Sequence, residues 1–89
     1  MGSGRKKFGN RNVIGKKILA YRAVNDIRQK DFLAHLQVRG LDISSASLAR
    51  IEGQDRFVLD HELIIIAQAM KVTPNDLLDW KKHDYSFYY

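Results

Sequence analysis

The sequence predicts an all-α fold, a compact bundle of five short helices. Apolar residues recur at spacings of three and four over most of the chain, which is the pattern of amphipathic helices. No segment alternates apolar and polar residues long enough to make a strand, and the run FVL at 57–59 is short enough to be an extended connection. A chain of 89 residues without cysteine should make one domain, held by an apolar core rather than by disulfides.

The chain divides into an arm, a helical domain and a tail. Residues 1–12 are rich in glycine and basic residues and lack the apolar area that offsets the entropy of ordering, so we expect a flexible basic arm. Residues 13–80 carry the helical pattern and are the expected domain. Residues 81–89 form an aromatic C-terminal tail, which together with Trp80 could close the core or make a homodimer contact. We favour the homodimer contact.

The first two helices are predicted from their apolar faces. The first begins near Val13 with Asn12 as its N-cap, and its apolar positions are Ile14, Ile18 and Tyr21, with Ala20 and Val24 nearby. The second lies in RQKDFLAHLQV at 28–38 and ends near Gly40, whose conformational freedom suits a helix C-terminus. Ile27 should pack just before this helix, and its apolar face is made by Phe32, Leu33 and Leu36.

The last two helices are predicted from their composition and their start signals. The fourth runs over about 60–70, and Ile64 and Ile65 make it apolar on nearly all sides, which indicates a central position in the core. The fifth is short. It begins with Thr73 as N-cap, the chain's only proline at the first helical position, and Asp76 beside the positive end of the helix dipole.

The third helix, ISSASLARIEG at 43–53, follows the second after a turn, an arrangement that fits the helix-turn-helix motif. Asp42 or Ser44 caps it and Gly53 closes it. Its outer residues are small, which permits close approach to another surface, and their hydroxyls can bond phosphates or base edges. Arg50 adds a long planar donor that can hold O6 and N7 of guanine. The plainer alternative is a solvated helix covered by serine and alanine.

The charge is unevenly distributed along the chain. Residues 1–25 contain seven Lys and Arg and no acid, whereas residues 26–89 contain eight Lys and Arg against ten Asp and Glu. A basic segment attracts polyanions, of which nucleic acid is the commonest in the cytoplasm. An anionic membrane surface, an acidic partner or a purely solubilising role would also account for it.

Four stretches, in this order and spacing, carry a resemblance to a known family: IGKKILAYR, IRQKDFLAHL, ISSASLARIE and LIIIAQAMKVTPNDLL. They resemble the Cro/phage-repressor (XRE-type) helix-turn-helix family and lie between residues 14 and 80. Each motif alone is modest, and the order of the four strengthens the signal. The resemblance implies a lambda-repressor-like DNA-binding domain.

The resemblance also implies roles for particular residues. Gln29, at the start of the second helix, would reach a phosphate and brace the start of the third helix. Arg22 and Glu52 would form a structural ion pair that joins the first helix to the end of the third. The positions that read base edges are Ser45, Ala46 and Arg50, and those nearer the DNA backbone are Ser44 and Ser47.

The chain departs from the family pattern around the second helix. The turn at 37–42 is longer than usual, which should lengthen the second helix by a turn and expose Arg39 for a further phosphate contact. Arg28 stands where the family has a Ser or Thr cap, so Asp26 or Asn25 would have to cap the helix instead.

The remaining phosphate contacts are expected from a loop and from the arm. After the third helix the family's Asn-Gly is replaced, and the loop contacts would fall to Gln54 and Arg56. In the arm, Lys6 and Lys7 would contact the backbone through their charge. Phe57, in the same loop, is more typical of a side chain that plugs the core than of one that stacks on a base.

Catalysis, metal binding and membrane insertion are not expected. The chain has no nucleophile elbow, Gly-rich phosphate loop or paired-carboxylate cleft. Its histidines, His35, His61 and His83, lie far apart without other ligands at metal-binding spacing, so neither a metal nor another cofactor is predicted. The longest apolar run, LIIIA at 63–67, is too short to span a membrane, and the lack of cysteine suits a reducing cytoplasm.

The function we expect is sequence-specific binding to double-stranded DNA by a homodimer. The third helix of each protomer would enter one of two successive major grooves, about 34 Å apart, on an inverted repeat. Occupancy would exclude or recruit polymerase, and we expect a transcriptional regulator of the repressor type. The alternative is a protein-interaction module, such as an antitoxin or a partner-sensing subunit, which docks a protein partner through LIIIA and the tail. Exposure of Ile64 and Ile65 would favour that alternative.

Overall fold

The computed structural model describes residues 11–79, which fold into five helices joined by short connections. The helices are α1 (Gly15–Asn25), α2 (Gln29–Val38), α3 (Ser45–Glu52), α4 (Asp60–Ala69) and α5 (Pro74–Leu77). No strand occurs between residues 11 and 79. The predicted compact, five-helix, all-α architecture is therefore confirmed for this part of the chain. The expected arm up to residue 10, Trp80 and the tail lie outside the described residues.

The core lies where the five helices meet, and α3 is held in it from two sides. α1 and α2 both pack against α3, while α4 packs against α2 and α5. The ring centroids of Tyr21 and Phe32 lie 6.1 Å apart, which joins α1 to α2. The most deeply buried apolar side chains come from all five helices: Ile14, which immediately precedes α1, and Ile18, Phe32, Leu36, Leu48, Ile51, Ile66 and Leu77.

Side-chain caps fix the starts of α3 and α5 as the sequence predicts. Of the two candidate caps of α3, the structure uses Ser44, whose Oγ accepts a hydrogen bond of 3.0 Å from the Ser47 backbone N–H. Thr73 Oγ1 accepts one of 3.0 Å from the Asp76 backbone N–H, and the Asp76 carboxylate accepts in return from the Thr73 N–H. These reciprocal bonds satisfy donors that a helix start leaves unpaired.

The starts of α1 and α2 differ from the prediction. Asn12 lies two residues before the N-cap position of α1, but its Oδ1 still accepts from the Gly15 N–H at 2.8 Å. The α2 prediction is wrong, because neither Asp26 nor Asn25 caps that helix. Asp26 is used to end α1 in the left-handed conformation, and the N-cap residue of α2 is Arg28, which makes no side-chain cap bond.

Each of α1 to α4 ends in the same left-handed turn, although only one of the turns uses glycine. The residue after the turn donates its N–H to a carbonyl five residues earlier, as Leu41 does to Leu36 at 3.0 Å. Gly40 was predicted at such an end and takes a φ of 96°. Gly53 closes α3 with a φ of −82°, so the left-handed residue there is the next one. The left-handed residues other than glycine are Asp26, Gln54 and Lys71.

The longer turn between α2 and α3 contributes a buried side chain to the core. α2 continues to Val38, two residues past the last apolar position of the family pattern, which is about half of the expected extra turn. The left-handed Gly40 then reverses the chain and buries Leu41. Arg39 is exposed, and its Nη1 donates to the His35 carbonyl oxygen at 3.2 Å.

Several apolar side chains that the sequence placed on the apolar helix faces or in the core are exposed. Ala20 and Val24 are exposed although they were grouped with the apolar positions of α1. Ile64 is 48% exposed and Ile65 half-buried, so α4 buries one face and is not surrounded on all sides. Phe57 is 66% exposed, which overturns its expected role as a core plug, because the adjacent Val58 packs against the core instead.

Candidate nucleic-acid interface

The solvent-facing side of α3 carries the three side chains predicted to read base edges. Ser45, Ala46 and Arg50 are all exposed, whereas Leu48 and Ile51 on the opposite side are fully buried. Ala46 and Arg50 are four residues apart and share one face of the helix. Among the described residues, the Arg50 guanidinium has no hydrogen-bond or ion-pair partner. The predicted backbone contacts Ser44 and Ser47 lie at the start of the same helix, exposed and half-buried respectively.

A buried carboxylate anchors the C-terminal end of α3. Glu52 is 5% exposed and accepts two hydrogen bonds from Arg22, at 2.8 Å from Nε and 3.2 Å from Nη2. Arg22 Nη1 also donates to the Ile27 carbonyl oxygen at 3.1 Å, so its position is fixed at both edges. The ion pair that joins the first helix to the end of the third is therefore present. Its geometry is the bidentate one that guanidinium and carboxylate favour.

Gln29 extends this network from α2. Its Nε2 donates to Glu52 Oε1 at 2.8 Å, and its side chain is half-buried. Gln29 was expected to brace the start of α3, but it contacts the end of that helix. The reason is electrostatic, because a desolvated carboxylate needs donors beyond one guanidinium and the start of α2 supplies an amide.

Contrary to the prediction, the side chain of Gln54 is not available to a phosphate. Gln54 is 2% exposed, and its Nε2 donates to the Asn12 carbonyl oxygen at 3.0 Å. In return, the Gln54 carbonyl oxygen accepts from the Arg11 N–H at 2.9 Å. Its amide therefore fastens the segment before α1 to the turn after α3, and a phosphate contact through this side chain is no longer expected.

The second loop residue, Arg56, is committed to an internal ion pair. Its Nη1 and Nη2 donate to the two carboxylate oxygens of Glu62, each at 2.9 Å. This hydrogen bonding lowers the pKa of Glu62, although burial acts in the opposite direction, and it raises the pKa of Arg56. Glu62 also accepts from the Leu59 N–H at 2.9 Å and so caps the start of α4. A phosphate would have to compete with Glu62 for Arg56, which weakens the predicted contact.

Two residues that the sequence analysis did not assign to this site hold α3 in place. Asn12 Nδ2 donates to the carbonyl oxygens of Ile51 at 3.0 Å and Arg56 at 2.9 Å, which ties the chain before α1 to the end of α3. Gly15 lets α1 approach that end closely, since a Cβ built on it would lie 2.8 Å from the Glu52 carbonyl oxygen. A glycine inside the first turn of a helix, where it is disfavoured, was the available signal.

The comparisons with known proteins leave the chain's family open. No family model matches the chain, and neither a curated protein nor a solved structure is significantly similar to it. The resemblance to Cro and phage repressors therefore rests on the motifs themselves.

The described residues also bear on metal and membrane binding. Between residues 11 and 79 no group of three or more His, Asp or Glu side chains could hold a metal ion. None of the helices described there is long and apolar enough to cross a membrane. Lys6 and Lys7, the predicted arm contacts, fall outside the described residues.

Proposed function

We propose that the protein is a sequence-specific DNA-binding transcriptional regulator and that α3 is its recognition helix. The observation that carries this proposal is the outer face of α3, where the Arg50 guanidinium, which has no partner among residues 11–79, projects from a surface of small side chains. Arginine contacts to guanine are the commonest base-specific contacts in the major groove.

The size of the exposed side chains suits a groove-binding helix. An α-helix with its side chains is about 10 to 12 Å across, close to the roughly 12 Å width of the major groove. Ser45 and Ala46 add little to that diameter, so the helix axis can approach the base edges. Arg50 then spans the remaining depth, and the serine hydroxyls bond phosphates or bases.

Base recognition also needs a helix whose angle does not vary, and the anchors of α3 supply this rigidity. Its end is bound to α1 through Arg22, to α2 through Gln29 and to the preceding segment through Asn12. In the proposed complex, Ser44, Ser47 and Arg39 contact phosphates, and Lys6 and Lys7 contribute through the arm. Phosphate contacts would give much of the affinity and a steep dependence on salt.

The proposed assembly is a homodimer on an inverted repeat, with α3 of each copy in successive major grooves. Occupancy of such an operator within a promoter would block polymerase, so the proposed activity is repression, without catalysis and without a cofactor.

A titration followed by NMR tests the binding surface without knowledge of the operator. A mixed-sequence duplex of about 20 base pairs is added to isotopically labelled protein at low salt, where non-specific binding is strong. We expect the largest shift changes at Ser45, Ala46 and Arg50, and small changes at Ile64 and Gln68 on the exposed side of α4. Absence of binding, or shift changes confined to α4, would contradict the proposal.

The exposure of Ile64 favours one second candidate, a protein-interaction module such as an antitoxin or a partner-sensing subunit. An isoleucine 48% exposed on α4 leaves apolar area that a protein partner could cover. The two candidates use different helices, so shift changes confined to α4 in the presence of a protein partner would support this one.

A further inference from the structure

An open cavity of about 460 Å³ lies beside the C-terminal end of α3. It is lined by Arg11, Arg50, Asp55, Arg56 and Phe57, and these five residues are called the arm notch. Arg56 is neutralised by its ion pair outside the notch. Among the described residues, the guanidinium groups of Arg11 and Arg50 have no ion-pair partner, so two positive charges face one carboxylate. The notch is therefore electropositive.

The side chain of Arg11 is placed by an aromatic ring and not by an acid. Its guanidinium carbon lies 5.8 Å from the centroid of the Phe57 ring, within the range of a cation–π contact. A guanidinium carries five N–H donors, so a contact with one ring leaves donors available for an anion. Phe57 is 66% exposed, so the same ring also presents apolar surface to a ligand in the notch.

The backbone fixes Arg11 relative to α3. Its N–H donates to the Gln54 carbonyl oxygen at 2.9 Å, and the next residue, Asn12, bonds the carbonyl oxygens of Ile51 and Arg56. Arg11 therefore belongs to the same rigid unit as Arg50. A ligand that contacts Arg50 is therefore presented to Arg11 at a fixed distance.

We infer that the arm notch binds a phosphate and the adjoining sugar of the DNA strand that flanks the groove entered by α3. This inference rests on the proposed function and assigns Arg11 and Phe57 to the same interface. The guanidinium of Arg11 holds the phosphate oxygens, and the ring of Phe57 packs against the apolar face of the deoxyribose. Arg11 contributes charge, and Phe57 acts as a positioning residue that also covers the sugar.

The test compares three variants for binding to one mixed-sequence duplex of about 24 base pairs over a range of salt concentrations. Arg11→Gln removes the charge and keeps the side-chain length, Phe57→Leu removes the ring and keeps the charge, and Lys71→Gln is the control. Lys71 is exposed at the end of α4 and does not line the notch. All three residues are exposed, and thermal unfolding verifies that each variant folds.

The expected results differ in kind among the variants. Loss of one phosphate contact in Arg11→Gln reduces the slope of log K against log salt by about 0.9 per protomer, which is about a fivefold loss of affinity near 0.15 M salt. Phe57→Leu should weaken binding at least threefold and leave the slope unchanged. Lys71→Gln should change neither quantity.

Other outcomes separate failure of the notch from failure of the proposed function. If the wild-type protein binds no duplex even at low salt, the proposed function fails and the notch fails with it. If the wild-type protein binds and Arg11→Gln and Phe57→Leu behave as Lys71→Gln does, the notch alone is overturned. The notch is also overturned if the slope of log K against log salt falls equally in all three variants, because an equal fall would reflect the total charge and not a contact at one place.

Discussion

Gly15 is the position where the smallest substitution should have the largest structural effect. Replacing it by alanine adds one carbon atom, which would lie 2.8 Å from the Glu52 carbonyl oxygen and closer still to that of Ile51. Both obstacles are backbone atoms at the end of α3, so no side-chain rotation relieves them and α1 must move away from α3. Overpacking of this kind costs typically 1 to 3 kcal/mol, and alanine recovers less than about 1 kcal/mol through its helix propensity.

The expected net effect of Gly15→Ala is a decrease of about 2 kcal/mol in the free energy of unfolding. For a domain of this size that corresponds to a fall in melting temperature of roughly 10 °C. Urea and thermal unfolding followed by circular dichroism would measure both quantities. Because the displaced contact positions α3, the variant should also bind DNA less tightly than the wild-type protein at temperatures where both are folded.

Two other glycines provide matched controls. Gly53 has a φ of −82°, and its added Cβ would first meet the flexible Asp55 carboxylate at 3.3 Å, so Gly53→Ala should change stability by less than about 0.5 kcal/mol. Gly40→Ala meets no atom within 4 Å but must adopt a φ of 96°, which should cost about 1 to 2 kcal/mol through backbone strain alone. If Gly15→Ala proved as stable as Gly53→Ala, the close approach of α1 to α3 would be refuted.

Three further predictions concern charges and turns. Arg22→Met leaves the buried carboxylate of Glu52 without its cation and should lower the free energy of unfolding in urea by about 3 kcal/mol. Adding Glu52→Met in a double variant should restore part of this loss. A loss below about 1 kcal/mol for Arg22→Met would contradict the burial of the pair. The ion pair with Arg56 lowers the pKa of Glu62, so this carboxylate stabilises the fold at pH values above its ordinary pKa of 4.5. That contribution is lost as the pH falls through the lower pKa of the folded state. Glu62→Gln should therefore flatten the acid limb of a curve of stability against pH, and an unchanged limb would contradict this. Lys71→Gly should raise stability by about 0.5 to 1 kcal/mol because Lys71 has a φ of 60°, and a loss in thermal unfolding would contradict the left-handed turn.

The features that the sequence predicted well are local ones. Ser44 and Thr73 cap their helices because a hydroxyl placed just before a helical segment can bond an N–H three residues later, whatever the rest of the fold does. Gly40 ends α2 for a similarly local reason, its tolerance of positive φ. Such features depend on a few consecutive residues and can be inferred from them.

The features that the sequence did not predict depend on distant parts of the chain. Glutamine is usually a surface residue, and the amide of Gln54 is buried because the segment before α1 packs against it. Gln29 finds its partner at the end of α3 because helices 1 and 2 converge on Glu52. The choice of Val58 instead of Phe57 for the core likewise depends on where the loop after α3 meets α4. None of these partners is close in sequence.

The most direct test of the recognition-helix proposal is selection from a random duplex library, run in parallel with the wild-type protein and Arg50→Ala. At moderate salt, the wild-type protein should enrich an inverted repeat whose half-sites lie about one helical turn apart. Arg50→Ala should enrich the same repeat with the preference for guanine relaxed at one position of each half-site, a loss of about 1 to 3 kcal/mol there. If the wild-type protein enriches no common motif, or if the variant selects the same motif with undiminished preference at every position, α3 does not read DNA through Arg50.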